Sequence, residues 1–98
     1  MVIVTGRAQI HPQGLAEAMA LCLEHVRRSR GEPGCISHAV HQDVEDPCSL
    51  FFFERWTDRA ALERHFAVPE SGQFVGRLSR LASVTPEISI YDAEATRS

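Results

Sequence analysis

The chain has 98 residues, 44% of them apolar, and a formal net charge of −3. That is room for one domain, residues 1–98, with a modest core, and it is too apolar for a disordered chain. All ten basic residues are arginines and only Arg27, Arg28 and Arg30 cluster, which argues against a nucleic-acid surface; no apolar run nears 18 residues and Val2-Ile3-Val4 is too short for a secretion signal, so a cytoplasmic protein is expected.

Residues 2–10 alternate, with Val2, Val4, Gly6, Ala8 and Ile10 on one face, and predict a strand. Pro12 is placed to start a helix in which Leu15, Met19, Cys22 and Val26 recur at i, i+4, i+7 and i+11. Arg27, Arg28 and Arg30 complement the dipole of its last turn, and Gly31 and Pro33-Gly34 stop it. Residues 35–43 and 50–56 predict two further strands, joined by the turn chemistry of Val44-Glu45-Asp46-Pro47. A turn centred there sets Cys48 opposite about His41 and Cys35 opposite about Glu54, with the thiols too far apart to bridge. The three cysteines are odd in number and lack CxxC spacing, so they read as reduced, small hydrophobes.

Leu50-Phe51-Phe52-Phe53 is apolar on both faces of its strand, so both faces need cover. Helices can supply one cover, and a second copy of the same sheet is the simplest candidate for the other, which predicts a homodimer. Thr57-Asp58 offers an N-cap to a short helix with Leu62 and Phe66 on its buried face, ended by Pro69. Ser71 opens another helix, with Phe74, Leu78 and Leu81 in line. Residues 84–91 predict the last strand, in which Val84, Ile88 and Ile90 alternate and Pro86 marks an edge. The order β-α-β-β-α-α-β is an α+β, ferredoxin-like plan with an antiparallel sheet.

Five histidines are present, at 11, 25, 38, 41 and 65. None forms an HExxH motif, and there is no Gly-rich phosphate loop, dinucleotide fingerprint or GxSxG elbow, so no metal, flavin or haem is expected. His41, Asp43 and Cys48 read as a solvated hairpin tip rather than a zinc site. Glu54 and Trp56 share a strand face with Leu50 and Phe52. A carboxylate there is either hydrogen-bonded to a neighbour or sits in a pocket with a raised pKa. Pairing His38 opposite Phe52 puts His38 on that same face, as a core histidine or as a base. His65, three residues after Leu62, borders the buried stripe of the short helix; it is a surface histidine or turns back over the sheet beside Trp56.

The runs Glu32-Pro33-Gly34-Cys35, Asp46-Pro47, Phe53-Glu54-Arg55-Trp56 and Ala61-Leu62-Glu63-Arg64-His65-Phe66, in this order, resemble the antibiotic biosynthesis monooxygenase domain family over residues 2–91. The resemblance implies a ferredoxin-like protomer, a homodimer whose sheets form an α/β barrel, and a ligand cleft between each sheet and its own helices. It also implies oxidation of quinols or anthrones by O2 with no cofactor. Trp56, His65 and Glu54 match the family's Trp, helical His and strand Glu, while His38 stands where relatives often carry an aromatic residue. The chain contains no asparagine, so the Asn of haem-degrading relatives is missing, and Glu70 replaces a second helical His. By this resemblance the protein is a cofactor-independent monooxygenase of a small aromatic, hydroquinone or anthrone in type. His65 or His38 is then the base, Glu54 orients a histidine, Trp56 is the stacking wall, and Phe52, Leu62 and Phe66 line the cleft. The alternative is a dimeric binding protein, isomerase or stress-response protein that uses the same cleft without oxygen; a quinol-plus-O2 assay separates the two.

Overall fold

The alternation at the start of the chain becomes β1 (Val2–Gln9), with Val2, Val4 and Ala8 buried, and Ile10 extends the buried face through a bridge to Ala82. The computed structural model describes residues 1–98. A 3-10 turn at Pro12–Gly14 leads into α1 (Leu15–Ser29); β2 (Cys35–Gln42), β3 (Ser49–Trp56), α2 (Arg59–Ala67), α3 (Pro69–Leu81) and β4 (Glu87–Asp92) follow. The sheet order is β2-β3-β1-β4 and every neighbouring pair is antiparallel, the ferredoxin-like α+β plan. No helix is long and apolar enough to cross a membrane.

Two apolar clusters fill the space between sheet and helices. One joins Ala8, Ile10, Leu50 and Phe52 to Ala18, Cys22 and Leu78; the other joins Val2, Val4 and Trp56 to Ala61 and Leu62. Along β3 the buried Glu54 falls between Phe52 of the first cluster and Trp56 of the second. On the opposite face of the sheet Ile3, Phe51 and Phe53 are only half-buried, and Tyr91, paired with Ile3, is exposed.

The β2–β3 register differs from the expected one. His38 pairs with Glu54 rather than Phe52, and Cys35 with Trp56 rather than Glu54, with an irregularity between Cys35 and Ser37. The connection is longer than a four-residue turn because Asp43 and Asp46 each fold it locally. Their carboxylates accept from the backbone of Glu45 (2.8 Å) and Cys48 (3.0 Å), and Asp43 N donates to Ser49 O. The slip moves His38 by two positions, so it keeps the Glu54/Trp56 face.

The last strand begins at Glu87, not at residue 84; Pro86 has no N–H for the ladder, and Val84 is exposed. Ile88 and Ile90 pair with Gly6 and Val4 and so face the helix side, yet both remain exposed at this sheet edge.

Asp58 caps α2 as its position predicts, accepting from Ala61 N at 2.8 Å. The buried face of α2 is Ala61, Leu62 and His65, not Leu62 and Phe66; Phe66 is 44% exposed. The cause is the Glu32-Pro33-Gly34 turn. Gly34 has φ +83°, and a Cβ there would lie 2.5 Å from Ala61 Cβ and 2.8 Å from Thr57 Oγ1. Thr57 N donates to Gly34 O at 2.9 Å. The turn is therefore seated on the first turn of α2, fixes that helix with Ala61 inward, and carries Glu32 to His65.

Candidate active site

A cavity of about 220 Å³ lies between the helix face of the sheet and α3. Val4, Phe52, Phe74 and Leu78 make it apolar. Its ionisable inner groups are His25 from α1, Glu54 from β3 and His65 from α2. Phe66 and the β4 residues Glu87 and Ile88 stand in its wall as well.

The polar groups form one connected centre. His65 Nδ1 meets Glu32 Oε1 at 2.6 Å. A carboxylate only accepts, so Nδ1 carries a proton, and in the neutral ring the lone pair sits on Nε2. That Nε2 stands 4.0 Å from Glu54 Oε1. Glu54 Oε1 accepts from Trp56 Nε1 at 2.9 Å and lies 3.3 Å from His38 Nε2. Glu54 is the nearest polar neighbour of His38 Nε2, and the approach is off the ideal hydrogen-bond axis; His38 Nδ1 is buried with no partner. Burial pushes the Glu54 carboxyl up, but the His38 ring, the Trp56 N–H and His65 outweigh it and hold the carboxyl below its ordinary range. Of the two readings of this carboxylate, the hydrogen-bonded one fits, with a side-chain N–H of Trp56 as the donor in place of a backbone amide, and the raised pKa of the other does not.

His25 is held differently. Arg28 Nη2 lies 2.7 Å from His25 Nδ1; a guanidinium only donates, so the neutral ring keeps its proton on Nε2. The ring stacks on Phe74 at 3.9 Å and 3°. Burial, then the neighbouring His38, His65 and Arg28, hold its pKa down to about 3, so it is uncharged at neutral pH.

Of the candidates read from the sequence, Glu54, His65, Phe52 and Phe66 reach the cavity. Three do not. His38 is 1% exposed and sits behind Glu54. Leu62 is fully buried in the cluster with Val2 and Ala61 rather than in the cleft, because α2 turns it into the core. Trp56 is also fully buried; it lies under His65, with ring centroids 4.6 Å apart, and braces that ring instead of forming a wall of the cleft. His25 and Glu32 are additions. His25 lies three residues beyond Cys22 and one before Val26, inside the stripe that predicts the helix face, and that spacing was its only signal. Glu32 lay in the turn motif, where its partner in α2 had no sequence trace.

The profile of the antibiotic biosynthesis monooxygenase family matches residues 1–77, which hold every group of this centre. An uncharacterized protein of Synechocystis sp. is 36% identical over 98% of the chain, which spans 65% of that relative's length. A crystal structure of an antibiotic biosynthesis monooxygenase superposes with a TM-score of 0.89 at 28% identity, over 97% of this chain and 100% of the other. SnoaB, a cofactor-independent oxygenase from Streptomyces nogalater, shares the fold at a TM-score of 0.84 and 23% identity, over 97% and 94% of the two chains. The match in sequence over residues 1–77 and the match in fold over nearly the whole chain agree, and the chain belongs to the antibiotic biosynthesis monooxygenase family.

Proposed function

We propose that the protein is a cofactor-independent monooxygenase of hydroxylated aromatics of one or two rings, working as a homodimer. The observation that carries this reading is an apolar cavity containing an imidazole, His65, that is held by a carboxylate and has a free ring nitrogen. Family membership supports O2 as the co-substrate, as does the cofactor-independent oxygenase among the proteins of like fold. Size narrows the substrate. An apolar cavity of about 150 Å³ accepts benzene, so about 220 Å³ favours a benzo- or naphthohydroquinone over a three-ring anthrone.

In this mechanism His65 Nε2 takes the proton of a ring hydroxyl, and Glu32 at Nδ1 stabilises the imidazolium that forms. His25, neutral and protonated on Nε2, is a hydrogen-bond donor in the same cavity. The electron-rich monoanion passes one electron to O2. Superoxide and the ring radical then combine at a ring carbon that bears hydrogen, giving a hydroperoxide. Its O–O bond breaks as that carbon loses its proton, water leaves, and the new carbonyl completes a hydroxyquinone. One hydroquinone and one O2 give one hydroxyquinone and one water, with four electrons passing from ring to oxygen. The apolar wall excludes water from the charged intermediates.

The sheet face away from the helices supports the dimer. Ile3, Phe51, Phe53 and Tyr91 form an apolar strip there, and the same strip of a second copy is its natural cover.

Oxygen uptake with 1,4-naphthohydroquinone, corrected for uncatalysed oxidation, tests the reaction, with 18O2 and mass spectrometry of the product. One labelled oxygen in the quinone and a His65→Ala loss of about 10²–10⁴ in kcat are expected. Saturable binding of the quinol with no catalysed uptake would overturn the oxygenase and leave the binding-protein alternative.

A further inference from the structure

We propose that His38, His65 and Glu54 form a site for a divalent d-block cation of the Zn2+ type, with its fourth position open to the cavity. The three residues come from β2, α2 and β3, so no spacing along the chain announces them. Both histidine donors already stand close to the Glu54 oxygen. With bonds near 2.1 Å, tetrahedral donors lie about 3.4 Å apart; His38 Nε2 and His65 Nε2 stand 3.3 and 4.0 Å from Glu54 Oε1. One ring nitrogen of His38 and one of His65 lie within 4.8 Å of each other, with a ring nitrogen of His25 at the same range. His25 stays outside the proposed ligand set, because its Nδ1 is engaged by Arg28 and its Nε2 carries the proton.

Two further observations point to a cation. His38 is 1% exposed, yet its Nδ1 has no partner and its Nε2 has only the off-axis approach to Glu54 Oε1 at 3.3 Å. A buried polar ring left in that state needs an explanation, and an ion supplies one for Nε2. The outer groups also have the form metal sites use. Glu32 holds His65 by Nδ1 at 2.6 Å and so directs Nε2 inward, and Trp56 Nε1 fixes the Glu54 carboxylate at 2.9 Å. Two imidazoles and one carboxylate suit Zn2+, Co2+ or Ni2+ rather than Mg2+ or Ca2+. The cavity lined by His65 and Glu54 is the entry path.

The site goes beyond the oxygenase reading and does not rest on it. The two are linked in one respect: the ion takes the His65 lone pair that the oxidation uses, so Zn2+ inhibits that reaction. The test reads binding. Chelator-treated protein is titrated with Co2+ and followed between 500 and 650 nm, on the order of the range where four-coordinate cobalt absorbs. One saturating Co2+ per chain, displaced by Zn2+, is expected, together with a higher unfolding temperature in Zn2+. Glu54→Gln and His38→Gln should weaken binding by about 100-fold or more, while His41→Ala, on the exposed end of β2, changes nothing. Circular dichroism verifies that each variant is folded, and His65→Gln takes the place of any that is not. Absence of the band in the wild type, or its retention in a folded ligand variant, overturns the site. Oxygen uptake by the chelated enzyme is decided separately.

Discussion

Gly34→Ala tests the seat on which Glu32 rests. The residue has φ +83°, where an alanine costs about 1–2 kcal/mol. Its Cβ would also stand 2.5 Å from Ala61 Cβ, a contact that forces the turn or α2 to move; overpacking of that kind costs about 1–3 kcal/mol. Reduced freedom in the unfolded chain returns about 0.4–1 kcal/mol. A net loss of about 3 kcal/mol follows, equal to roughly 12–24 °C in Tm for a domain of this length. Thermal and urea unfolding measure it. The source is isolated by repeating the substitution in an Ala61→Gly background. There the closest contact is gone and only the φ penalty and the 2.8 Å approach to Thr57 Oγ1 remain. The two substitutions should therefore couple by about 1 kcal/mol or more. A Tm change under about 4 °C in the single variant, or no coupling in the double variant, would refute the claim that this turn is wedged against α2.

Asp58→Ala removes the acceptor at the start of α2 and should cost about 1 kcal/mol, while Asp58→Asn restores most of it in the same melt. Cys22 has its thiol pushed up to about 12 by burial, so at pH 8 it holds almost no thiolate. It should react with a disulfide reagent only at the rate of unfolding, and labelling of Cys22 as fast as the half-buried Cys48 would contradict its placement.

The order of elements was legible because each carried its own periodicity: alternation over residues 2–10, the 15-19-22-26 stripe, and the 74-78-81 stripe. Registers were less legible, because the Asp43 and Asp46 side chains lengthen the hairpin connection in a way that apolar patterning does not record. The phase of α2 was misplaced for a related reason. Apolarity favoured Phe66 inward, but Gly34 against Ala61 and Glu32 on His65 rotate the histidine in and leave Phe66 at the cavity. Glu54 and His65 stood out as polar groups beside buried stripes. Glu32 and His25 acquire their meaning only from partners brought together in space, Glu32 from His65 and His25 from its stack on Phe74.

The pairing of β1 with β4 also decides how the molecule opens. It joins segments 80 (Arg7 with Glu87) to 90 (Val2 with Asp92) residues apart, the costliest loop closure in the fold. Every residue of β4 is exposed in the protomer, so little apolar burial within its own chain holds the strand once its ladder breaks. One end is clamped, with Met1 N donating to Ala93 O at 3.0 Å and Ala93 N to Met1 O at 2.9 Å. The other end begins after Pro86, beside Glu87 and Ile88 in the cavity wall, and its nearest upstream tie is Ser83 N on Gln9 O at 2.8 Å. Fraying therefore starts at the cavity and runs toward the clamp. It unzips one side of the chamber while both apolar clusters, neither of which includes a β4 residue, stay intact. Amide hydrogens of residues 87–90 should exchange earliest within the sheet, and a molecule lodged in the chamber should slow them first.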